Sequence, residues 1–405
     1  MDPVIQMVLL IAVLFLLGAF AELIFSRTGV PDMVWLVAAG IVAGPVFNLV
    51  APELLMPILP FFGAIALITI LMGGGLKFRI ADVAAAAPRA TILGIIGFVT
   101  SVLAICVSGL ALMEFVYNKP SPPLTAWIMV GAIIGGTSSL VIIPAMAGGN
   151  IDSRIARVLE VESCITDALC VVVTLVMIDV LLSGAVDFTY PVFAFAKAGG
   201  IGIFLGVVGA AVLVPLLPKL RGRVHAYTIL LAGFLALYGL VLLAGGNGAI
   251  GVLICALLIG NASDLLPRLL SRIRAEEFSV DLSAMTIHAE VSFFVKAFFF
   301  FLIGLLFPTS LEQILIGFGT AIVLLIARIP TVLLSLWRSS FSIAQKRVMI
   351  LAIPRGLAAG VLSTMPLYKG VPNSADLVPA VFATIVFSIL IFSAGFSLFG
   401  RYAKR

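Results

Sequence analysis

Residues 158–182 read VLEVESCITDALCVVVTLVMIDVLL. A run of this length is what a helix needs to cross the hydrocarbon of a bilayer, about 30 Å at 1.5 Å per residue. The stretch is apolar almost throughout, yet Asp167 stands in its middle, ten residues after Arg157. A charge at that depth costs several kcal/mol and usually marks function. Ser163 lies four residues before Asp167 and so on the same helical face, and Thr166 adjoins it. A carboxylate with two hydroxyls offers hard oxygen ligands to an alkali cation, or a seat for a proton. The competing reading is a structural aspartate paired with a basic residue.

The rest of the chain agrees with a lipid solvent. Of its 405 residues 62% are hydrophobic and 11% charged, and mean hydropathy is +1.27. Soluble domains run at about 45–50% apolar and 25% charged, so a soluble globular protein is excluded. The apolar runs are long and continuous rather than alternating, which excludes a β-barrel. The expected fold is an all-α polytopic membrane protein of about thirteen spans. They include a fifth at 124–148, a sixth at 157–184, a tenth at 283–307 and a twelfth at 345–368. The start, MDPVIQMVLLIAVLFLL, has no Lys or Arg before its apolar run and reads as a retained first span, not a cleaved signal peptide. The stretch 261–281 reads as an amphipathic helix lying on the membrane surface.

With the N-terminus outside, eighteen Lys and Arg fall in the inner loops and tail and only Lys119 and Lys369 in the outer loops. That asymmetry places the C-terminus in the cytoplasm and the chain in the cell membrane. The basic residues form no dense tract, so the net charge of +5 does not point to nucleic acid. The four cysteines (Cys106, Cys164, Cys170, Cys255) have no CxxC or CxxH spacing and read as small buried hydrophobes. Two histidines, unpaired cysteines and no GxSxG motif give no enzyme signature.

Two spans carry sequence hostile to a continuous helix. The fifth contains GAIIGGTSSLVIIPAMAGG (131–149), with Gly135, Gly136, Thr137, Ser138, Ser139 and Pro144 in its interior. Glycine costs about 1 kcal/mol and proline about 3 there. The twelfth contains MILAIPRGLAAGVLSTMP (349–366), interrupted at Pro354, Arg355 and Gly356. Non-helical backbone at membrane depth is tolerated where it lines a cavity, and paired broken spans point to an inverted-repeat transporter. The carbonyls and hydroxyls of Thr137, Ser138 and Ser139 would then ligate an ion. A Gly/Ser packing face is the plainer alternative. Arg355 requires a carboxylate partner, with Glu162 the first choice and Glu160 the second. In the tenth span, AMTIHAEVSFFVKAFFFFLIGLLFP (284–308), Lys296 is a mid-span cation read as a charge near the ion site. His288 reads as structural rather than as a pH sensor. Glu22, Lys197, Asp179 and Arg328 sit near span ends, where they can reach water.

Together these motifs resemble the monovalent cation/proton antiporter superfamily. ESCITDA (162–168) is similar to the ESLxNDA stretch of NhaP-type sodium/proton antiporters, TSSLVIIP (137–144) to the family's unwound TDPVAV-type segment, and PRGLAAGVL (354–362) to its arginine-glycine segment. FFVKAFFFFLIGLLF (293–307) resembles the KefC-type and NapA-type branch, and GVPDMVWLVAAGIVAGP (29–45) the family's second span. The resemblance implies an NhaA-like fold of inverted repeats with two crossing broken helices. It also implies a buried Glu162–Arg355 ion pair and a homodimer. Core helices would lie around 89–184 and 283–399 and a dimerisation part around 1–49 and 191–262, in one membrane domain spanning 1–405. This chain departs from the pattern at Thr166, where NhaP-type proteins have Asn, at Ser138, in place of Asp, and at Gly74, where some have Glu. The chain stops at RYAKR, so no soluble regulatory domain is expected.

The implied activity is exchange of Na+ or K+ for H+ by alternating access, with Asp167 binding cation or proton competitively and no resident cofactor. A sodium-coupled organic-anion symporter on a related fold and a non-transporting membrane subunit are the alternatives.

Overall fold

A computed structural model describes residues 3–28, 32–49, 59–77, 80–139, 141–142, 146, 153–184, 189–223, 225–264, 282–339 and 341–399. Pro144 and most of the surface-helix segment at 261–281 lie outside these. Among the described residues all regular secondary structure is helical, without strands. The α-helices are α1 (Pro3–Thr28), α2 (Asp32–Ile41), α3 (Leu59–Lys77), α4 (Ile80–Ala111), α5 (Leu124–Ile133) and α6 (Ser153–Ser183). There follow α7 (Thr189–Leu213), the single turn α8 (Leu217–Leu220), α9 (Ala226–Leu243), α10 (Gly248–Gly260) and α11 (Leu282–Leu305). The last are α12 (Leu311–Ser335), α13 (Ile343–Leu351), α14 (Leu357–Tyr368) and α15 (Leu377–Phe399).

Seven described helical stretches are long and apolar enough to cross a membrane, and six shorter apolar helices accompany them. Large side chains such as Phe61, Phe193, Phe204 and Leu243 are exposed, as lipid-facing residues are. The phenylalanine run of α11 shows the opposite pattern. Phe298, Phe299, Phe300 and Phe301 are all buried, so this segment is surrounded on every side.

The chain gathers into two compact units. The first holds 1–60, 86–184 and 296–405, and the second 61–85 and 185–295. In the second, α10 packs along α7 and α9 covers both. Backbone contact is close there, since a Cβ at Gly206 would fall 2.7 Å from the Gly251 carbonyl oxygen. In the first, α5 lies along α6, α14 touches both, and α13 reaches α6, α12 and α15.

α2 belongs to the first unit. Residues 1–60 join the first unit, not 185–295. Small residues are the reason, because they let α2 and α11 meet backbone to backbone. A Cβ placed on Gly304 would lie 2.9 Å from both the Gly40 Cα and the Ile41 nitrogen.

Gly304→Leu is therefore expected to cost about 3 kcal/mol or more by overpacking, lowering folded yield and the apparent melting temperature in detergent. Gly319→Ala on α12, where nothing lies within 4 Å, should leave both unchanged or slightly raised.

Candidate functional site

The site is built where two helices stop. α5 ends at Ile133, and 134–138 are non-helical. The paired glycines 135 and 136 remove helix propensity at that point. α13 ends at Leu351, and α14 begins only at Leu357. Pro354 has no N–H to continue the helix and disfavours helical geometry at Ile353.

Stopping a helix frees backbone polar groups, which in lipid must find partners. Each of five finds a specific one. The Ser138 N–H donates to the Pro354 carbonyl at 2.9 Å, so the two breaks touch main chain to main chain. The Ser163 hydroxyl on α6 donates to the Thr137 carbonyl at 2.8 Å and accepts from the Ser139 N–H at 2.9 Å. The Arg355 N–H donates to the Ser388 hydroxyl of α15 at 3.0 Å. Glycine is required at two points of this crossing. A Cβ at Gly356 would overlap the Ser138 side chain, and one at Gly136 would fall 2.8 Å from the Cys170 sulfur and 3.3 Å from Thr166 Oγ1.

Of the expected ion ligands, Ser163 is thus already engaged on both sides of its hydroxyl, and Thr166 donates to the Ser163 carbonyl at 3.1 Å. Thr137 Oγ1 is buried without a hydrogen-bond partner among the described residues, which leaves it available as an oxygen ligand. Ser138 is buried and Ser139 half-buried. Asp167 is half-buried one turn beyond Ser163, and the Arg355 charge acts on it.

The expected Glu162–Arg355 pair gives way to a different one. Glu162 is fully buried, and both its oxygens accept from Arg328 of α12, through Nη1 and, at 2.7 Å, through Nη2. Arg328 Nε also donates to the Met349 carbonyl at 3.2 Å, near the end of α13. A planar fork satisfies a carboxylate and a helix-end carbonyl at once, which a single ammonium could not do as well. Beside it the Thr100 and Thr331 hydroxyls hydrogen-bond at 2.6 Å. Arg328 does not reach water as its place seven residues before the end of α12 suggested, because α13 packs against α12 and encloses it.

Arg355 is buried too. Its Nη2 donates weakly to Ser101 at 3.4 Å, and Nε and Nη1 have no hydrogen-bond partner among the described residues. Its charge acts on Glu162 and Asp167 without an ion-pair contact to either among the described residues. Glu160, the second choice for Arg355, is exposed. Lys296 does not stand as a lone charge either, since its ammonium lies 2.5 Å from the Asp32 carboxylate at the start of α2. Asp179, expected near a span end, is exposed and faces Lys369 at 3.4 Å.

Reading single spans missed Arg328 and Asp32. A count of intramembrane charges, matching acids to bases, is the signal that would have raised both. Removing one partner of the Glu162–Arg328 pair is expected to cost about 3–5 kcal/mol, since it leaves a buried unpaired charge. Glu162→Gln and Arg328→Gln should each lower the apparent melting temperature strongly, and Glu162→Gln/Arg328→Gln together should fall well short of their sum.

The sodium/hydrogen exchanger transmembrane family matches residues 9–401. Among curated relatives, the K(+)/H(+) antiporter NhaP2 of Shewanella baltica is 28% identical over 394 residues. The alignment covers 94% of this chain and 63% of that protein, so the chain spans less than two thirds of the relative's length. The Probable Na(+)/H(+) antiporter 2 of Methanocaldococcus jannaschii is 24% identical, over 93% of this chain and 88% of that one. Among solved structures, the sodium proton antiporter MjNhaP1 of Methanocaldococcus jannaschii at pH 8 superposes with a TM-score of 0.78. That match covers 97% of this chain and 100% of the other at 23% identity, and it shows a shared fold. With a match running from residue 9 to residue 401, the chain belongs to the sodium/hydrogen exchanger transmembrane family.

Proposed function

We propose that this chain is a secondary active antiporter exchanging Na+ or K+ for H+ by alternating access, with Asp167 holding either the cation or the proton. One observation carries the reading: two interrupted helices meet at Ser138 and Pro354, and Ser163 ties that junction to α6 one turn before Asp167. Half-helix ends and freed carbonyls at such a junction suit a small cation. The names of the relatives, K(+)/H(+) and Na(+)/H(+) antiporters, support a monovalent cation as cargo.

The charge arrangement supports a single working acid. Glu162 is matched by Arg328 and Asp32 by Lys296. Asp167 has no ion-pair contact among the described residues, and the more diffuse field of Arg355 acts on its charge. A bare carboxylate moving through lipid-like surroundings is costly, whereas a proton or a cation neutralises it. One acid that takes one or the other gives 1:1 exchange without a separate coupling device. The Thr137 hydroxyl and carbonyls of the break would complete the coordination. The distribution of Lys and Arg supports a cell-membrane protein with its N-terminus outside and its C-terminus cytoplasmic. The family resemblance supports a homodimer.

Proton movement in proteoliposomes of the purified chain tests the reading. A preset pH gradient should collapse on addition of sodium or potassium and persist with choline. Asp167→Asn should abolish the response, and Thr137→Val should raise the half-saturating cation concentration several-fold. Because protons compete for the same carboxylate, that concentration should rise as pH falls. Full exchange by Asp167→Asn would refute the scheme.

A further inference from the structure

We propose that Asp32 is a positioning residue that fixes the charge of Lys296 and so keeps that charge out of the transport cycle. The inference rests on the reading of Asp167 as the ion-binding group. Lys296 stands fifteenth of the 24 residues of α11, in a segment whose neighbours Val295, Ala297 and Phe298 are buried. Such an ammonium needs a counter-charge, and a carboxylate that also carried cargo would be a poor one. Asp32 supplies the counter-charge 2.5 Å away, its side chain 8% exposed.

Two features hold Asp32 to this task. It opens α2, where the helix dipole favours an anion. The same two helices, α2 and α11, meet backbone to backbone at Gly40 and Gly304, two turns further along each. Glycine contact and ion pair therefore act on one interface, and the close approach at Gly40 and Gly304 holds the two helix backbones that carry Asp32 and Lys296 at a fixed separation. With Lys296 so held, one proton is exchanged for one cation at Asp167, and no net charge crosses.

Exchange by the native protein in potassium-free proteoliposomes, with membrane potential set by a gradient of the permeant anion thiocyanate, is expected to run at the same rate at zero and at strongly negative potential when sodium is the cargo. Asp32→Asn and Lys296→Met should each lower exchange about tenfold or more, since each strands a buried charge. The residual exchange of Asp32→Asn should show a pH profile displaced from the native one, because its released ammonium is then a titratable charge beside the path. Asp32→Asn/Lys296→Met together should recover exchange to within about threefold of native, with the native pH profile and no response to potential. Native exchange that follows membrane potential overturns the proposal. So does a double variant as impaired as Lys296→Met while folded to the same melting temperature as the native protein. A native chain that moves no protons with any cation removes the antiporter reading and this inference together, whereas voltage-driven exchange removes this inference alone.

Discussion

Every backbone polar group that a broken helix exposes within a membrane has to be satisfied by the protein. The structure of this chain around its candidate site follows from that constraint. Two helices stop, at Ile133 and Leu351. The groups they release are taken up by one another and by two neighbouring hydroxyls. Ser138 meets Pro354, Ser163 spans Thr137 and Ser139, and Ser388 receives Arg355. Without the glycines at 136 and 356 the interrupted segments could not come close enough for these bonds to form. Among the described residues the Thr137 hydroxyl has no hydrogen-bond partner, and it lies on the segment that Ser163 ties to α6, one turn before Asp167.

Charge is distributed under the same constraint. Four buried or half-buried ionic side chains are matched two by two, Glu162 with Arg328 and Asp32 with Lys296. Each pair joins helices, α6 to α12 and α2 to α11, so each serves as a tie as well as a neutralisation. Arg328 goes further by holding the Met349 carbonyl at the end of α13, one turn before the break. The helix carrying Asp167 is thereby connected to both breaks, to the first through Ser163 and to the second through Glu162 and Arg328. Arg355, with two N–H groups lacking hydrogen-bond partners among the described residues, contributes positive potential rather than a fixed bond.

Much of this was legible in the residues themselves. Composition alone required lipid and helices. Gly135, Gly136 and Pro354 marked both interruptions, because helix propensity is a local property that neighbouring helices cannot restore at a Pro or a Gly pair. Asp167 stood out because a carboxylate is costly wherever it sits in an apolar run. The pairing of charges was not legible. Arg328 looked self-explanatory near the end of its span, and Lys296, mid-span, read as a charge near the ion site rather than as the partner of an acid. Asp32 opened a helix as many aspartates do.

The sequence by itself determined the solvent, the helical class, the positions of the two breaks and which acid stands in the middle of an apolar run, because each depends on the free energy of a segment in hydrocarbon. Tertiary structure alone decided which base meets which acid, which hydroxyls are consumed as backbone partners and which helices group together. Those outcomes depend on close approach between segments over 160 residues apart, as with Glu162 and Arg328 or Asp32 and Lys296. No local pattern specifies which of several buried cations will present its donors to a given carboxylate. That choice is made when glycine contacts such as Gly40 on Gly304 set how near two helices can come.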